Sequence, residues 1–386
     1  MSTAVMNIGR SHVGDLAGTP LAGDALVCDG GAIAWVGDSA EVRRGDHEQV
    51  LDADGAGVIP GLIDSHVHIT FGDYTPRQQT VGYLESYLHG GTTRAITASE
   101  VHVPGRPSDP AGVKALAIAA QRCFADYRPG GVTVHAGSVI LEPGLTQADF
   151  EEVRAQGVWL AKAGFGAFDK PLDYVPVAQA ARAAGLLVTC HTGGGSIPGS
   201  LDRIDAEAVI AMGAHVSFHV NGGPTAMSPD DNERIVAEGG EIALQLAMAG
   251  NLRSALDICR LALAQDRSDR LLISTDTPTG TGVVPLGMFH LIAELVSLEG
   301  LPVELAIAAA TGSVGRVYGL DAGLLDVGRP ADLLVLDAPL GSIGEDWAGA
   351  LGVGDVPALC AALTAGELRF TKSRNTPAPK RPVTIV

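Results

Sequence analysis

Two histidines one residue apart, His66 and His68, close the apolar run that begins Val58-Ile-Pro-Gly-Leu-Ile63. Read as one strand over 58–68, alternate side chains share a face, so both imidazoles point the same way. Two imidazoles on one face at the end of a buried strand can close on a metal ion. An isolated His-x-His is weak, since most such pairs bind nothing. Here compatible groups recur downstream: Lys162 in Trp159-Leu-Ala-Lys-Ala-Gly164, His191 in Thr189-Cys-His-Thr-Gly-Gly194, His219 in Ser217-Phe-His-Val-Asn-Gly-Gly223, and Asp276 in Ile273-Ser-Thr-Asp-Thr-Pro278. The histidines and the aspartate each follow an apolar run and precede glycine, proline or small polar residues. Singly, each reads as a structural residue; together, their regular placement reads as a metal site.

Lys162 stands out within the short apolar stretch Gly157–Gly166. Burial disfavours its charged form and favours the neutral amine, which is a nucleophile. Reaction with carbon dioxide turns that amine into an anionic carbamate with two oxygens, able to bridge two metal ions. The plainer reading is a lysine that snorkels from the strand end to water.

Eight strands are expected to carry these groups: 58–68, Thr92–Ala98, Val132–Leu141, Gly157–Ala163, Leu186–His191, Ala214–His219, Glu241–Leu246 and Leu271–Asp276. Helical segments separate them. One runs Pro110 to Tyr127, one starts at the capping-box spacing Thr146-Gln-Ala-Asp149, and one starts at Ser228-Pro229. This repeated strand-helix unit predicts an α/β fold, a (β/α)8 TIM barrel over 58–320, with the chemistry at the C-terminal strand ends. A doubly wound open sheet is the competitor. Residues 1–57 and 321–386 are strand-rich, with an Asp29-Gly-Gly31 hairpin signal, and are expected to pair into one small β-sandwich domain. The basic, proline-rich stretch Lys372–Pro382 reads as a solvated tail, or, on so acidic a protein, as a segment docking on a neighbouring subunit.

A net charge of −18 opposes nucleic acid or an anionic membrane as partner. It does not oppose a small anionic substrate, because one local arginine can override the global field. No apolar run reaches the length of a membrane span and no signal peptide is evident, so a cytoplasmic protein is expected. The five cysteines are scattered without a C-x-x-C pair, which fits free thiols in a reducing compartment.

The His-x-His strand end, the later Lys, His, His and Asp, and the flanking β-rich ends resemble the amidohydrolase superfamily. Further segments are similar to a member that opens a cyclic enamide: Gly72-Asp-Tyr-Thr-Pro-Arg77, His89-Gly-Gly-Thr-Thr93, Pro104-Gly-Arg-Pro107, His191-Thr-Gly-Gly194, Asn221-Gly-Gly-Pro-Thr225, Pro278-Thr-Gly-Thr-Gly282 and Ser373-Arg-Asn-Thr-Pro377. The resemblance runs nearly end to end. It implies two divalent metal ions, zinc or iron with manganese possible. His66, His68, Lys162 and Asp276 would surround one, and a carboxylated Lys162 with His191 and His219 the other. It further implies Asp276 as the catalytic proton carrier, a homotetramer, and a small cyclic amide substrate bearing a carboxylate. For that carboxylate an arginine serves best: Arg77 first, Arg106 behind it, each equally readable as a surface ion pair. Asn221 and Thr279, in loops after strands, are candidate ring contacts. His135, in mid-strand, reads as a core residue or as one that supports the site from behind its ligands, and His102 is unassigned. Rival expectations are a lactam, cyclic imide or hydantoin hydrolase, a heterocycle deaminase, and a metal-free structural relative that uses the barrel for assembly.

Overall fold

Alternating apolar strands and helices from residue 62 onward produce a ring of eight parallel strands. The computed structural model describes residues 2–69, 80–100, 106–194, 202–223, 225–278 and 282–386. In order, the barrel strands are Leu62–Val67, Thr92–Thr97, a third in two pieces (Thr133–His135 and Ser138–Ile140), Leu160–Ala163, Leu187–His191, Val216–Phe218, Ala243–Ala247 and Leu271–Ser274. The first three pair in parallel, as do the third through the eighth. The third strand breaks at Gly137, where φ is +101° and the Gly137 and Ser138 amides donate to the Glu100 carboxylate at 2.8 and 2.6 Å. Between the eighth and first strands the ring closes through Asp276 N–H to His66 O at 2.9 Å and His68 N–H to Thr277 O at 3.0 Å.

Alternation along these strands separates two apolar layers. Leu62, Ala95, Val134, Ala161, Val188 and Leu244 pack with the helices in the main core. Their neighbours Ile63, Ile96, Leu160, Val216, Ala243 and Leu272 form a second cluster with Val314 and Tyr318 of the helix Gly312–Tyr318. Two residues further along the same faces stand Lys162, Phe218, Gln245 and Ser274, so the polar site lies directly above an apolar floor.

The helix starts follow their sequence signals. Asp109 accepts the Gly112 amide before Pro110–Phe124, and Ser228 accepts the Asp231 amide before Pro229–Glu238. Asp149 reaches back to the Thr146 amide at 2.9 Å at the start of Gln147–Ala155.

The chain ends build two further sheets. One is ordered Thr384–Ile385, Gln49–Asp52, Thr3–Met6, Ala25–Asp29, Ala32–Gly37; the other is Glu367–Phe370, Ala358–Thr364, Leu333–Asp337, Gly57–Pro60. Val5, Leu26, Ile33 and Leu51 of the first share a core with Val58, Leu333, Val335 and Leu363 of the second. The expected strand 58–68 is therefore two strands. Gly57–Pro60 pairs antiparallel with Leu333–Asp337, and the barrel begins at Leu62. The switch falls at Gly61, where an added Cβ would sit 2.1 Å from Thr93 Oγ1.

The reading of Lys372–Pro382 as a solvated tail is corrected. Ser373 Oγ donates to His89 O at 2.6 Å, Asn375 Nδ2 to Ser86 O at 2.8 Å, and Arg381 pairs with the buried Asp337 carboxylate. The segment thus crosses the end of the helix Thr80–Leu88 before Thr384–Ile385 joins Gln49–Asp52. His135 ends the first piece of the third strand rather than lying in mid-strand. Burial, with Arg94 and Arg128 adding to it, lowers its pKa to about 4. Among the described residues, no helix is long and apolar enough to cross a membrane.

Asp149 also accepts Lys114 Nζ at 2.7 Å, and this bond, with those from Thr146, holds its carboxyl down at about 2. Asp149→Asn should cost ~1–2 kcal/mol at pH 7. A depressed carboxylate pKa contributes stability that is present above the unfolded value and lost as pH falls through the folded one. Urea unfolding of the two proteins should therefore differ at pH 7 and converge as the pH approaches 2; a difference independent of pH would contradict the assignment.

Candidate metal centre

The first and eighth strands bring three donors together. His66 Nε2 and His68 Nε2 lie 3.0 and 3.1 Å from Asp276 Oδ1. All three residues are buried, and their donor atoms fall within 4.8 Å of one another. Asp64 aligns the two strand ends. Its Oδ1 accepts the His66 amide at 3.2 Å and the Thr275 amide at 3.1 Å, while Oδ2 accepts Thr275 Oγ1. Burial pushes the Asp64 carboxyl up to about 7 against the bonds from Thr275. Behind it the polar seam continues from Thr275 Oγ1 to Thr277 Oγ1 at 2.7 Å, then to the Tyr87 hydroxyl, whose ring stacks on Tyr83 at 4.3 Å. Asp276 itself is held at φ +56°.

The tautomer of His66 can be assigned from its partner. His66 Nδ1 lies 2.8 Å from Gln245 Oε1, which also receives the His219 backbone N–H at 3.4 Å. A backbone N–H requires an acceptor, and Gln245 Nε2 faces Ser65 Oγ at 2.8 Å, so the amide orientation is fixed by its surroundings. His66 Nδ1 then carries a proton, and in the neutral ring Nε2 presents its lone pair toward the Asp276 carboxylate. Two acceptors 3.0 Å apart repel unless a cation lies between them.

The remaining histidines present the same demand. Both ring nitrogens of buried His191, and Nδ1 of buried His219, have no hydrogen-bond partner among the described residues. Buried polar atoms are ordinarily satisfied, so these call for an ion or a ligand. The two rings stand 4.4 Å apart at 78°, and His219 is 5.3 Å from His66. Burial lowers the pKa of His68 to about 4 and of His219 to about 3, and takes His191 well below its ordinary value. Burial alone would raise Asp276, but the surrounding histidines outweigh it and hold its carboxyl well below the usual range. Neutral imidazoles and an ionised carboxylate are the protonation states that bind metal. The donor set thus fits divalent cations.

Lys162, 1% exposed, points its Nζ over Phe165 at 5.1 Å and Phe218 at 5.3 Å. Phe218 packs on His66 at 4.1 Å and Phe165 meets His191 edge-on at 4.8 Å, so the lysine shares the apolar walls of both histidine groups. Phe165 and His219 are non-glycine residues with positive φ, +68° and +33°. Such conformations persist only where surrounding structure imposes them, and they cluster at functional sites.

The expected substrate contacts divide. Arg106 lies beside this region, pairing with buried Glu142 at 3.1 Å and donating to Phe165 O, while its buried Nη1 has no hydrogen-bond partner among the described residues. Asn221 bonds within the fold: its Nδ2 donates to Ala247 O and Asn251 O, and its Oδ1 accepts the Ala247 amide at 2.9 Å. Its amide is spent joining the sixth and seventh strand ends. Arg77, Thr279 and His102 lie outside the described residues. The sequence reading missed Gln245, Asp64, Glu142 and Phe165. For Gln245 a signal existed, a single polar residue in the apolar strand Ala243-Leu-Gln-Leu-Ala247; for Glu142 none did, because its partners are distant in sequence.

Comparison with known proteins agrees with this geometry. The pattern of the amidohydrolase family matches residues 58–357. An enamidase of Eubacterium barkeri is 41% identical over 385 residues, covering 100% of this chain and 99% of the relative. An imidazolonepropionase of Pseudomonas aeruginosa is 28% identical, covering 86% and 91%. The crystal structure of an enamidase superposes with a TM-score of 0.94 at 41% identity, over 100% of both chains. N-isopropylammelide isopropylaminohydrolase from Burkholderia multivorans, at 16% identity and a TM-score of 0.59 over 95% and 98% of the chains, shares the fold. The chain belongs to the amidohydrolase family.

Proposed function

We propose that this protein is a two-metal hydrolase that opens a cyclic amide or enamide, with enamidase activity as the leading assignment. In that reaction 6-oxo-1,4,5,6-tetrahydronicotinate and two waters give 2-formylglutarate and ammonia. The observation that carries the reading is the convergence of His66 and His68 on Asp276 beside His191 and His219, three of whose ring nitrogens are buried without a hydrogen-bond partner among the described residues. Full-length similarity to an enamidase selects the ring chemistry.

His66, His68 and Asp276 would hold one ion and His191 and His219 the other, with Lys162, carboxylated by carbon dioxide, bridging them; zinc, iron and manganese all suit such donors. When bound, the ions would acidify a water and polarise the amide carbonyl. Asp276 accepts the proton released as water adds to the carbonyl carbon, then delivers it to the ring nitrogen as the C–N bond breaks. The products are a carboxylate and an enamine. The enamine shifts to its imine, and a second water releases ammonia and leaves the aldehyde. The apolar floor of Leu160, Val216 and Leu272 keeps bulk water from below. Arg106, aimed by Glu142 and Phe165 O, takes the substrate carboxylate on Nη1, which has no partner among the described residues. We further assign a homotetramer in the cytoplasm, where the free cysteines stay reduced.

Metal-replete protein in bicarbonate buffer should consume 6-oxo-1,4,5,6-tetrahydronicotinate, read as loss of the conjugated enamide absorbance with release of ammonia. No turnover with both ions present would move the substrate to a lactam, imide or hydantoin. Asp276→Ala should lower kcat by about 10²–10⁴-fold while most metal stays bound; unchanged activity refutes its role. Lys162→Ala should lose metal and activity together, with short carboxylates restoring part of both. Arg106→Ala should raise KM about 10- to 100-fold for the carboxylated ring and leave a ring without the carboxylate unaffected.

A further inference from the structure

We propose that Gln245 is the positioning residue that couples the two ligand groups, one side-chain oxygen holding both the His66 ring and the His219 backbone. The inference rests on the metal reading above and goes beyond it, since Gln245 is itself no ligand.

Gln245 sits in the seventh strand, fully buried, on the face that points into the barrel. A carboxamide in that position is costly unless every polar atom is satisfied. Here all are. Oε1 takes His66 Nδ1–H at 2.8 Å and His219 N–H at 3.4 Å, and Nε2 donates to Ser65 Oγ at 2.8 Å and Ser65 O at 3.4 Å. The amide therefore spans the first, sixth and seventh strands and has nothing left to offer a substrate.

Two consequences follow from that one oxygen. The His66 ring can neither rotate nor exchange tautomers without losing its partner, so its Nε2 lone pair stays directed at Asp276. His219 is held at φ +33°, a conformation a histidine does not keep unaided, by its N–H on Gln245 and by its own carbonyl accepting the Gly222 amide at 2.6 Å. Outer partners that hold ligand rings in this way typically change metal affinity by about 10- to 100-fold when removed. Because the same atom serves both groups, occupancy of the two ions should fall together rather than one at a time.

The test compares Gln245→Met, which keeps the length and loses the acceptor, with Gln245→Glu, which keeps the acceptor. Protein stripped with chelator is titrated with zinc, following bound metal per chain and the rise in Tm between metal-free and metal-loaded forms. Expected are a metal-free Tm for Gln245→Met close to native, both ions weakened about 10- to 100-fold, and affinity within a few-fold of native for Gln245→Glu. Native zinc affinity in Gln245→Met, or loss of one ion alone, overturns the proposal. If Gln245→Met does not fold, Gln245→Glu decides: retained affinity for both ions supports the proposal and a tenfold loss refutes it. Native protein that binds no zinc sinks the metal reading itself, a result distinct from native binding with an indifferent Gln245→Met.

Discussion

A buried carboxylate facing two imidazole nitrogens is the constraint on which the rest of this molecule depends. His66, His68 and Asp276 have almost no access to water, so the charge of the carboxylate must be met by the groups around it. Adding His191 and His219 makes the demand larger, because three of their ring nitrogens are buried close by without a hydrogen-bond partner among the described residues. A positive charge at the centre resolves all of it at once. The arrangement is intelligible as a site built for cations, and costly as anything else.

Holding such a group requires a frame that does not yield. The barrel supplies it by placing each donor at the end of a different strand and by closing the ring where the donors are densest. The eighth strand meets the first through backbone bonds on either side of His66 and Asp276, and Asp64 fastens the same junction from the far side through Thr275. Residues with positive φ recur after the fourth, sixth and eighth strands, at Phe165, His219 and Asp276. There the strand direction is broken so that a side chain turns inward. The β unit has its own core; the tail that returns to it also secures the helix Thr80–Leu88 through Ser86 and His89.

Much of this was legible because it depends on local periodicity. The strand ends at His191, His219 and Asp276 lie after apolar runs that alternate correctly, and the helix starts at Thr146 and Ser228 carry their own capping chemistry. What was not legible depends on partners far away in sequence. Val58–Pro60 reads as continuous with the barrel strand, yet Leu333–Asp337 claims it for another sheet. The Lys372–Pro382 stretch has the composition of a free tail, and nothing within it reveals that Ser86, His89 and Asp337 will hold it. Asn221 has the look of a ligand contact in a loop, but its hydrogen bonds reach the seventh strand and Asn251. Arg106 could be placed as an anion binder or as an ion-pair partner, and its pairing with Glu142 is likewise made with a residue distant in sequence.

The most direct measurement is anomalous diffraction from crystals of the metal-loaded protein, collected on both sides of the metal absorption edge. The account predicts two peaks about 3.5–4 Å apart, one against His66, His68 and Asp276 and the other against His191 and His219, with density extending from Lys162 between them. A single peak, or none at these residues in protein that carries metal elsewhere, would contradict it.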